Sequence, residues 1–311
     1  MTDLDRELAL LATERTRPEL SDLDTWSTRS LVAAIAYDHA GVPEAVAAAG
    51  DAIAAAVDVI VERLESGGRL IYAGAGTPGR LGVLDAAECV PTFSTEPGQV
   101  IALIAGGADA MTTSLEGAED DPDGAAADLA AIEIGAGDVL VAITASGRTP
   151  YVLGAARAAR ESGAATIGIS NNTDTRLSSL VDVPIEVCTG PEIIGGSTRM
   201  KAGTAQKLVL NTLSTASMVR LGKTYGNMMV DVRATNDKLR SRAQRIVMEA
   251  TGVSPDAAAE VLALADGHVK TAIVALLAEI DVSEARNRLA ACGGRVRAAI
   301  HGDCIAPGKP T

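Results

Sequence analysis

The chain has 311 residues, of which 47% are hydrophobic and only 2% are aromatic, and its formal net charge is −13. This length and composition allow a large core of aliphatic side chains, while the acidic excess argues against nucleic acid as a partner. No apolar run reaches the roughly 18 residues of a membrane span, and the stretch MTDLDRELALLATERTRPEL is too charged for a signal peptide. We therefore expect a cytoplasmic protein that binds neither nucleic acid nor membrane.

The N-terminal region is predicted to be helical. Ser27 precedes a helical pattern that Pro43 stops or restarts, and a longer Ala/Val/Ile helix is predicted over Val46–Leu64. We expect residues 1–45 to form a helical arm that lies on the main domain, 46–239, or on a second subunit.

The stretch GRLIYAGAGTPGRLGVLDAAE, which begins at Gly68, predicts a strand, a tight loop and a helix. Arg69–Ala73 has the length and apolarity of a buried strand, glycines follow at 74, 76 and 79, and a helical pattern begins at Arg80. Because amide groups at a helix N-terminus bind anions, a phosphate group is the natural ligand of this loop.

Two known phosphate motifs fit this loop poorly. A P-loop ends in Gly-Lys-Ser/Thr, whereas Gly79 is followed by Arg80 and Leu81. The G-x-G-x-x-G spacing of a dinucleotide site is present, but the apolar run after Val100 offers no acidic residue for a ribose hydroxyl. The remaining alternative is that the glycines only allow close packing of strand and helix.

Further apolar runs of strand length alternate with helical patterns. Continuous Val/Ile strands that alternate with helices predict an α/β fold, a doubly wound parallel sheet of five strands whose ligands bind beyond the carboxyl ends of the strands. After the first strand, the predicted ones are Val100–Ala105, Asp138–Thr144, Ala165–Ser170 and Val183–Val187.

The loop after the third predicted strand is a second candidate phosphate site. Ser146, Gly147, Arg148 and Thr149 combine two hydroxyls with a glycine that lets the backbone approach a ligand closely, and a proline follows at a helix start. The alternative is an ordinary helix terminus capped by Ser or Thr.

Two acidic residues between these loops are candidates for proton transfer. Glu88 has apolar neighbours in the sequence, an environment that suits a general acid, and Glu119 lies in the acidic run EGAEDD. Asp120 and Asp121 are either solvated neighbours or metal ligands, and because no His or Cys lies near them we expect no metal.

The stretch GPEIIGGSTRMKAGTAQK, from Gly190, predicts a helix capped by Ser197 or Thr198. Lys201 and Thr204 are three positions apart and share a face of this helix, from which they can contact an oxyanion of a ligand.

The C-terminal region, 240–305, is predicted to be a compact helical bundle, because helix-period segments are separated by glycine or aspartate. The segments are Ala243–Ala250, Ser254–Ala265, Val269–Leu277, Val282–Ala291 and a short helix after Gly294.

The four cysteines show no zinc or redox spacing, so we expect neither disulfides nor a structural metal. We also expect that the protein uses no cofactor. They are Cys89, Cys188, Cys292 and Cys304.

The two candidate phosphate loops, the acidic run and the stretch from Gly190 resemble the sequences of the N-acetylmuramic acid 6-phosphate etherases. These proteins are relatives of the sugar isomerase (SIS) domain proteins and of the glucokinase regulator. The matching stretches are GAGTPGRLGVLDAAEC, IAGG, EGAEDD, ASGRTPYV, GSTRMKAGTAQKLVLNTLST and GNMMVDVRATNDKL, which cover about 13–300 in the expected order. The resemblance implies an SIS fold, a homodimer and a small sugar phosphate as substrate.

The resemblance also implies a lyase that removes D-lactate from N-acetylmuramic acid 6-phosphate to give N-acetylglucosamine 6-phosphate, in amino-sugar and peptidoglycan recycling. A base removes the C2 proton, which ring opening acidifies, an acid protonates the departing ether oxygen, and water then adds across the new double bond. By this resemblance Glu88 donates the proton to lactate, and Glu119 is the second acid/base, acting at C2.

The same resemblance implies that Thr77 and the loop 146–149 hold the 6-phosphate. The full set of expected substrate-binding residues is Gly76, Thr77, Gly79, Arg80, Ser146, Gly147, Arg148, Thr149, Ser197, Lys201 and Thr204.

Two positions depart from the family. Its first loop usually reads GTSGR, but here Pro78 replaces the serine, which removes a hydroxyl donor and an N–H while leaving the helix start pre-organised. Arg17 stands where asparagine is common, so we assign no site role there.

Alternative functions on the same fold are a non-catalytic sugar-phosphate-binding regulator, which has no need of two carboxylates, and an aldose–ketose isomerase, which needs no group to protonate an ether oxygen. A Rossmann oxidoreductase is the least favoured.

Overall fold

The structure, a computed structural model, describes residues 11–231 and 237–304. The chain divides into two compact units. The first lies within Met1–Ala86 and Gly98–Ser214, and the second within Ala87–Pro97 and Thr215–Thr311.

A parallel sheet forms the centre of the first unit. Its strands are β1 Leu70–Gly74, β2 Val100–Ile104, β3 Val139–Ile143, β4 Ala165–Ser170 and β5 Val183–Glu186. They pair in the order β2-β1-β3-β4-β5, with Leu70 opposite Val100 on one side and Val139 on the other. The predicted doubly wound five-stranded sheet is therefore confirmed, and each predicted strand end lies within one residue of the observed one.

Helices cover both faces of this sheet. The helices between Thr28 and Arg220 are α1 Thr28–His39, α2 Val42–Ala48, α3 Gly50–Glu65, α4 Gly76–Phe93, α5 Pro122–Ala131, α6 Pro150–Glu161 and α7 Lys201–Arg220. Helices α5 and α6 pack on the face that carries Ile71, Ala73, Leu140 and Ala142. Because side chains alternate along a strand, the intervening positions face the other way, and α3 packs on β1, β3 and β5 there.

Two predicted helix boundaries are wrong. The single helix expected over Val46–Leu64 is divided, because α2 ends at Ala48 and the N–H of Ala49 donates to the carbonyl of Val46 at 3.1 Å before α3 begins. The helix after the first glycine loop begins at Gly76 rather than at Arg80. Pro43 lies in the first turn of α2 and thus restarts the helical chain.

The second unit contains a small antiparallel hairpin and a helical bundle. The elements are β6 Thr224–Tyr225, β7 Met228–Met229, α8 Asp237–Thr251, α9 Pro255–Leu264, α10 Val269–Leu277, α11 Val282–Ala291 and α12 Val296–His301. Val247, Ala272, Ile273 and Val274 are fully buried in a core of its own. The predicted C-terminal helical region is confirmed, and the bounds of α10 and α11 match the prediction to the residue.

A disulfide joins Cys292, which follows α11, to Cys304, which follows α12. The expectation that the chain forms no disulfide is therefore wrong. The twelve-residue separation matches no motif, but the chain turns at Gly302 and brings Cys304 beside the carbonyl of Arg288, so that the two Cα atoms lie 4.5 Å apart. Within the part of the chain that the structure describes, every helix is too short or too polar to cross a bilayer.

Candidate active site

The strand order brings two loops together at the carboxyl edge of the sheet. Since β1 pairs with both β2 and β3, the chain leaves these two central strands in opposite directions. In this topology ligands bind in the crevice at that switch point. The loops that flank it, 75–80 and 144–149, are the two predicted from sequence.

The first loop places Thr77 against α7. A Cβ on Gly203 would lie 3.3 Å from Cγ2 of Thr77, and Gly76 turns the chain into α4 with a φ of +57°. Gly79 has a packing role, since a Cβ there would lie 2.6 Å from the carbonyl oxygen of Gly74. Close approach of strand and helix thus accounts for that glycine, as the simpler alternative supposed.

The guanidinium group of Arg80 donates hydrogen bonds to backbone carbonyls of the protein itself. Its Nε donates to the carbonyls of Ala110 and Met111 at 3.0 and 3.2 Å, and its Nη2 donates to the carbonyl of Thr113 at 3.2 Å. Arg80 therefore holds the segment after β2 in place, and a direct contact with substrate stays a prediction.

Three hydroxyl groups meet in the second loop. Oγ1 of Thr144 lies 2.8 Å from Oγ1 of Thr149 and 3.4 Å from Oγ of Ser146, and the amide of Arg148 donates to that serine at 3.2 Å. Thr149 precedes α6 but its side chain makes no capping hydrogen bond, so the alternative of an ordinary Thr cap is wrong. The start of α6 is thereby left with the anion-binding character of an uncapped helix end.

Gly147 allows this loop to close. It has a φ of +73°, and a Cβ would lie 2.3 Å from Cβ of Thr175. Any side chain at this position would push the loop away from the segment that follows β4.

A buried asparagine ties the N-terminal segment to the second loop. Oδ1 of Asn172 accepts a hydrogen bond from the amide of Ala12 at 2.8 Å. Its Nδ2 donates to Oγ1 of Thr13 and to the carbonyl of Ala145, both at 3.0 Å. The residue before Ser146 is therefore fixed by a side chain that reaches it from the end of β4.

Glu119 lies in a single exposed helical turn, Ala118–Asp120. The next residue, Asp121, is the N-cap of α5 and accepts hydrogen bonds from two amides of its first turn, both at 3.0 Å. Helix capping therefore accounts for Asp121 without a metal.

Helix α6 holds this acidic turn close to the second loop. A Cβ on Gly154 would lie only 2.2 Å from the carbonyl oxygen of Pro122, so the start of α5 touches α6 there. Gly154 is five residues beyond Thr149, about 8 Å along the helix axis. The turn that carries Glu119 therefore packs against the helix that begins beside the hydroxyl cluster.

The start of α7 differs from the prediction. The carboxylate of Glu192 accepts hydrogen bonds from the amides of Lys201 and Ala202 at 3.0 and 2.9 Å, so the expected cap by Ser197 or Thr198 is wrong. Glu192 is completely buried. A carboxylate near a helix N-terminus is favoured by the helix dipole, and this one occupies the amides that a ligand would need.

Lys201 forms an ion pair with a buried aspartate side chain. Its Nζ lies 3.2 Å from Oδ1 of Asp38, which Nη1 of Arg17 also contacts at 2.5 Å. The Lys201 side chain is 9% exposed, whereas Thr204 on the same face is exposed. The two predicted ligands of this helix therefore have different surroundings.

Beneath the site a buried aspartate joins β1, α4 and α7. Asp85 accepts hydrogen bonds from the hydroxyl of Tyr72 at 2.8 Å, from Nδ2 of Asn211 at 2.6 Å and from Oγ of Ser214 at 3.1 Å. Burial raises the pKa of Asp85, and these donors oppose the rise. The network fixes the two helices whose N-terminal ends border the site.

Glu88 belongs to the second unit, and Glu119 and both loops belong to the first. The expectation of an apolar environment for Glu88 is wrong for the single chain. Its side chain is exposed, and so are the neighbouring Leu84 and Val90.

Sequence reasoning missed several residues that build this edge of the sheet. The role of Thr144 could have been predicted, since this hydroxyl residue ends the predicted strand directly before the loop. Asn172 and Asp38 gave no such signal, because they bind residues about 160 positions away. Glu192 lies nine residues before Lys201, and the prediction placed the cap on the nearer Ser197 or Thr198. Among residues 11–231 and 237–304, no group of three His, Cys, Asp or Glu side chains is arranged to hold a metal ion.

Two family models match the chain. The glucokinase regulatory protein N-terminal SIS domain matches residues 52–160, and the SIS domain matches residues 121–216. The phosphoheptose isomerase GmhA from Neisseria gonorrhoeae is a solved structure with 19% identity and a TM-score of 0.47, over 61% of this chain and 97% of that one.

Curated relatives are similar over almost the whole length. N-acetylmuramic acid 6-phosphate etherase from Rubrobacter xylanophilus is 57% identical, with 96% of this chain and 98% of the relative covered. Proteins of the same name from Streptomyces coelicolor and Mycolicibacterium smegmatis are 56% and 54% identical, covering 96% and 94% of this chain and 96% and 99% of their own.

Proposed function

Because this chain belongs to the N-acetylmuramic acid 6-phosphate etherase family, we propose that it releases D-lactate from N-acetylmuramic acid 6-phosphate and leaves N-acetylglucosamine 6-phosphate. The enzyme is a carbon–oxygen lyase of amino-sugar metabolism. The hydroxyl cluster of Thr144, Ser146 and Thr149 at the uncapped start of α6 carries the proposal, because it suits a phosphate monoester on a protein with a strongly negative net charge.

The 6-phosphate is proposed to bind at the crevice between the two loops. Ser146, Thr149 and Thr77 donate hydroxyl hydrogen bonds, the first amides of α6 supply the positive end of a helix, and Arg148 adds charge. With the phosphate held there, we propose that the sugar ring extends towards the acidic turn of Glu119.

The chemistry then requires two proton transfers. Glu119 takes the C2 proton of the open-chain sugar, and the electrons left behind form a C2–C3 double bond as the C3–O bond breaks. Glu88 gives its proton to the ether oxygen, which leaves as the hydroxyl of D-lactate. Water adds across the double bond, its oxygen at C3, to complete the product.

The decisive experiment is to incubate the full chain with N-acetylmuramic acid 6-phosphate and measure free D-lactate. Glu88→Gln should lose lactate release but retain exchange of the C2 proton with solvent, while Glu119→Gln should lose both. Glu116→Gln is the matched control, since it removes an exposed carboxylate three residues from Glu119. Isomerised sugar phosphate without lactate would favour the isomerase alternative, and binding without turnover would favour the regulator.

The phosphate contacts are tested separately. Ser146→Ala and Thr149→Val should each weaken binding of N-acetylglucosamine 6-phosphate by roughly 1–3 kcal/mol, because each removes a hydrogen bond to a charged group. Unchanged affinity in both variants would place the phosphate elsewhere.

A homodimer is proposed from the exposed face of α1. Every residue of this helix escapes full burial in the single chain, and Val32 and Tyr37 are 63% and 84% exposed. Large apolar side chains that a single chain leaves exposed are typical of a subunit interface. Light scattering of the wild type should give twice the chain mass, and Val32→Glu combined with Tyr37→Glu should give monomers; a wild-type monomer would overturn the proposal.

The cytoplasm is the proposed location, because a sugar phosphate is charged and stays on the side of the membrane where it is made. Cell fractionation tests it, and recovery of the chain with exported proteins would contradict it.

A further inference from the structure

Thr13 is completely buried in the first unit, far in the chain from the loops that form the candidate site. It lies in a single helical turn, Ala12–Glu14, whose N-cap residue, Leu11, makes no side-chain capping bond. The first amides of such a turn find no partner inside it. They therefore need an acceptor from another part of the chain.

Asn172, which follows β4, supplies that acceptor and also reaches the second loop. Its Oδ1 accepts hydrogen bonds from the amides of Ala12 and Thr13 at 2.8 and 3.4 Å. Its Nδ2 donates to Oγ1 of Thr13 and to the carbonyl of Ala145, both at 3.0 Å. Every donor and acceptor position of this side-chain amide is thus used. Since Asn172 is only 4% exposed, water does not replace a partner that is lost.

The carbonyl of Ala145 is the point at which this network reaches the hydroxyl cluster. The amide of Asn171 also donates to it, at 3.0 Å. Because a peptide bond is planar, a fixed carbonyl on Ala145 fixes the direction of the N–H of Ser146. The network therefore sets the orientation of the first residue of the loop that is proposed to bind phosphate.

We propose that Thr13 and Asn172 are positioning residues for substrate binding, which hold the second loop in the shape that contacts the phosphate of the sugar phosphate. Neither residue needs to touch the ligand. This inference rests on the proposed function, which places the 6-phosphate at Ser146 and Thr149. A loop that is already held in its bound shape loses less conformational freedom when the ligand arrives, so the ligand binds more tightly.

The coupling must also act in the opposite direction. If the turn Ala12–Glu14 strengthens phosphate binding through Asn172, then bound phosphate stabilises the attachment of that turn by the same factor. The amides of Ala12 and Thr13, which donate to Asn172, report on this attachment through their hydrogen exchange.

The main test replaces Thr13 with valine, which has a similar shape but cannot accept the hydrogen bond from Asn172. We expect Thr13→Val to weaken binding of N-acetylglucosamine 6-phosphate about five- to tenfold in calorimetric titration of the full chain. Thr13→Ser keeps the hydroxyl and should bind as the wild type does. In turnover of N-acetylmuramic acid 6-phosphate, Thr13→Val should raise KM and change kcat little, because the phosphate contacts are the same in substrate and transition state.

Thr166→Val is the matched control for the loss of a buried hydroxyl. Thr166 is also completely buried, and its hydroxyl donates to Asp182 at 2.8 Å, but it lies at the amino end of β4, away from the second loop. This variant should lower the thermal unfolding midpoint and leave the affinity unchanged.

Two further measurements test the role of Asn172. Asn172→Asp keeps the shape but cannot donate to Ala145, and it should weaken binding at least as much as Thr13→Val. In the wild type, saturating N-acetylglucosamine 6-phosphate should slow hydrogen exchange at the amides of Ala12 and Thr13. This second measurement does not depend on whether a variant folds.

The variants of the second loop distinguish a failure of this inference from a failure of the proposed function. If Ser146→Ala weakens binding while Thr13→Val binds as the wild type does, the positioning role is overturned and the phosphate site stands. Unchanged exchange at Ala12 and Thr13, or an equal loss of affinity in Thr166→Val, would overturn it as well. Wild-type affinity in both Ser146→Ala and Thr149→Val would overturn the phosphate site itself, and the positioning role with it.

Discussion

The buried carboxylate of Glu192 closes the start of the helix that begins at Lys201. Its two oxygens accept hydrogen bonds from the amides of Lys201 and Ala202 at 3.0 and 2.9 Å. An anionic ligand cannot use these amides, because the protein's own anion already does. The start of α6, which Thr149 leaves uncapped, is therefore the helix end at which we propose that the substrate phosphate binds.

Replacing Glu192 with glutamine should destabilise the protein. The amide keeps one acceptor but loses the charge that the helix dipole favours, and it turns an NH₂ group towards backbone N–H groups. We expect the free energy of unfolding in urea to fall by about 1–3 kcal/mol. The control is Glu161→Gln, which changes an exposed glutamate at the end of α6 and should cost little. Equal stability of the two variants would contradict the capping role.

Much of the fold was predictable because its signals are local. Each strand of the sheet is a continuous apolar run, so its ends could be placed within one residue. The break at Ala49 was missed, since the apolar helical pattern continues through it. The Cys292–Cys304 disulfide was missed because the pairing depends on how α12 turns back, which spacing alone does not encode.

The candidate site shows the same division between local and distant contacts. The loop around Ser146 was predictable, because its hydroxyls, glycine and helix start are contiguous. The contacts of Asn172 with Thr13, and of Asp38 with Lys201, join residues about 160 positions apart. A single sequence gives no indication that such polar residues meet. The cap of α7 was given to the wrong side chain for a different reason: Glu192 lies only nine residues before Lys201, but outside the positions next to the helix from which a cap is ordinarily expected.

An ion pair at the amino edge of the sheet, directly before β1 and β3, should make the stability of the protein depend on pH. Arg69 donates to Asp138 from Nε at 3.0 Å and from Nη2 at 2.6 Å. Burial acts to raise the pKa of Asp138, but the hydrogen bonds from the Arg69 side chain and from the amides of Gly135 and Arg69 outweigh it and hold the pKa below its ordinary value.

The lowered pKa of Asp138 determines how the stability of the protein changes with pH. The folded state binds the Asp138 proton more weakly than the unfolded state, so the stabilisation is present above the ordinary aspartate pKa of about 4 and is lost as the pH falls through the lower folded value. We expect Asp138→Asn to lower the free energy of unfolding by about 1–3 kcal/mol at pH 7 and by much less near pH 3. Asp24→Asn, at an exposed turn, is the control. A difference that stays constant from pH 7 to pH 3 would contradict the prediction.

The disulfide should stabilise the helical bundle of the second unit. Cross-linking Cys292 to Cys304 closes a loop of twelve residues and is expected to contribute about 2–3 kcal/mol by restricting the unfolded chain. Thiol titration of the unreduced, denatured protein should detect two of the four thiols. Cys304→Ser, or reduction of the wild type, should lower the unfolding midpoint, whereas Cys188→Ser should not. Detection of all four thiols would contradict the pairing.

Restoring serine at position 78 should strengthen binding of the sugar phosphate. Pro78 lies in the first turn of α4, where it lacks the N–H and the hydroxyl that a serine would direct at the crevice. We expect Pro78→Ser to improve the affinity for N-acetylglucosamine 6-phosphate by about 0.5–1.5 kcal/mol, and to cost about 0.4–1 kcal/mol of stability because the chain gains freedom when unfolded. Pro255→Ser is the matched control, since Pro255 begins α9 in the second unit. Its replacement should reproduce the loss of stability without the gain in affinity. If Pro78→Ser folds normally and binds no better than the wild type, the first loop does not contact the phosphate, and the second loop alone must hold it.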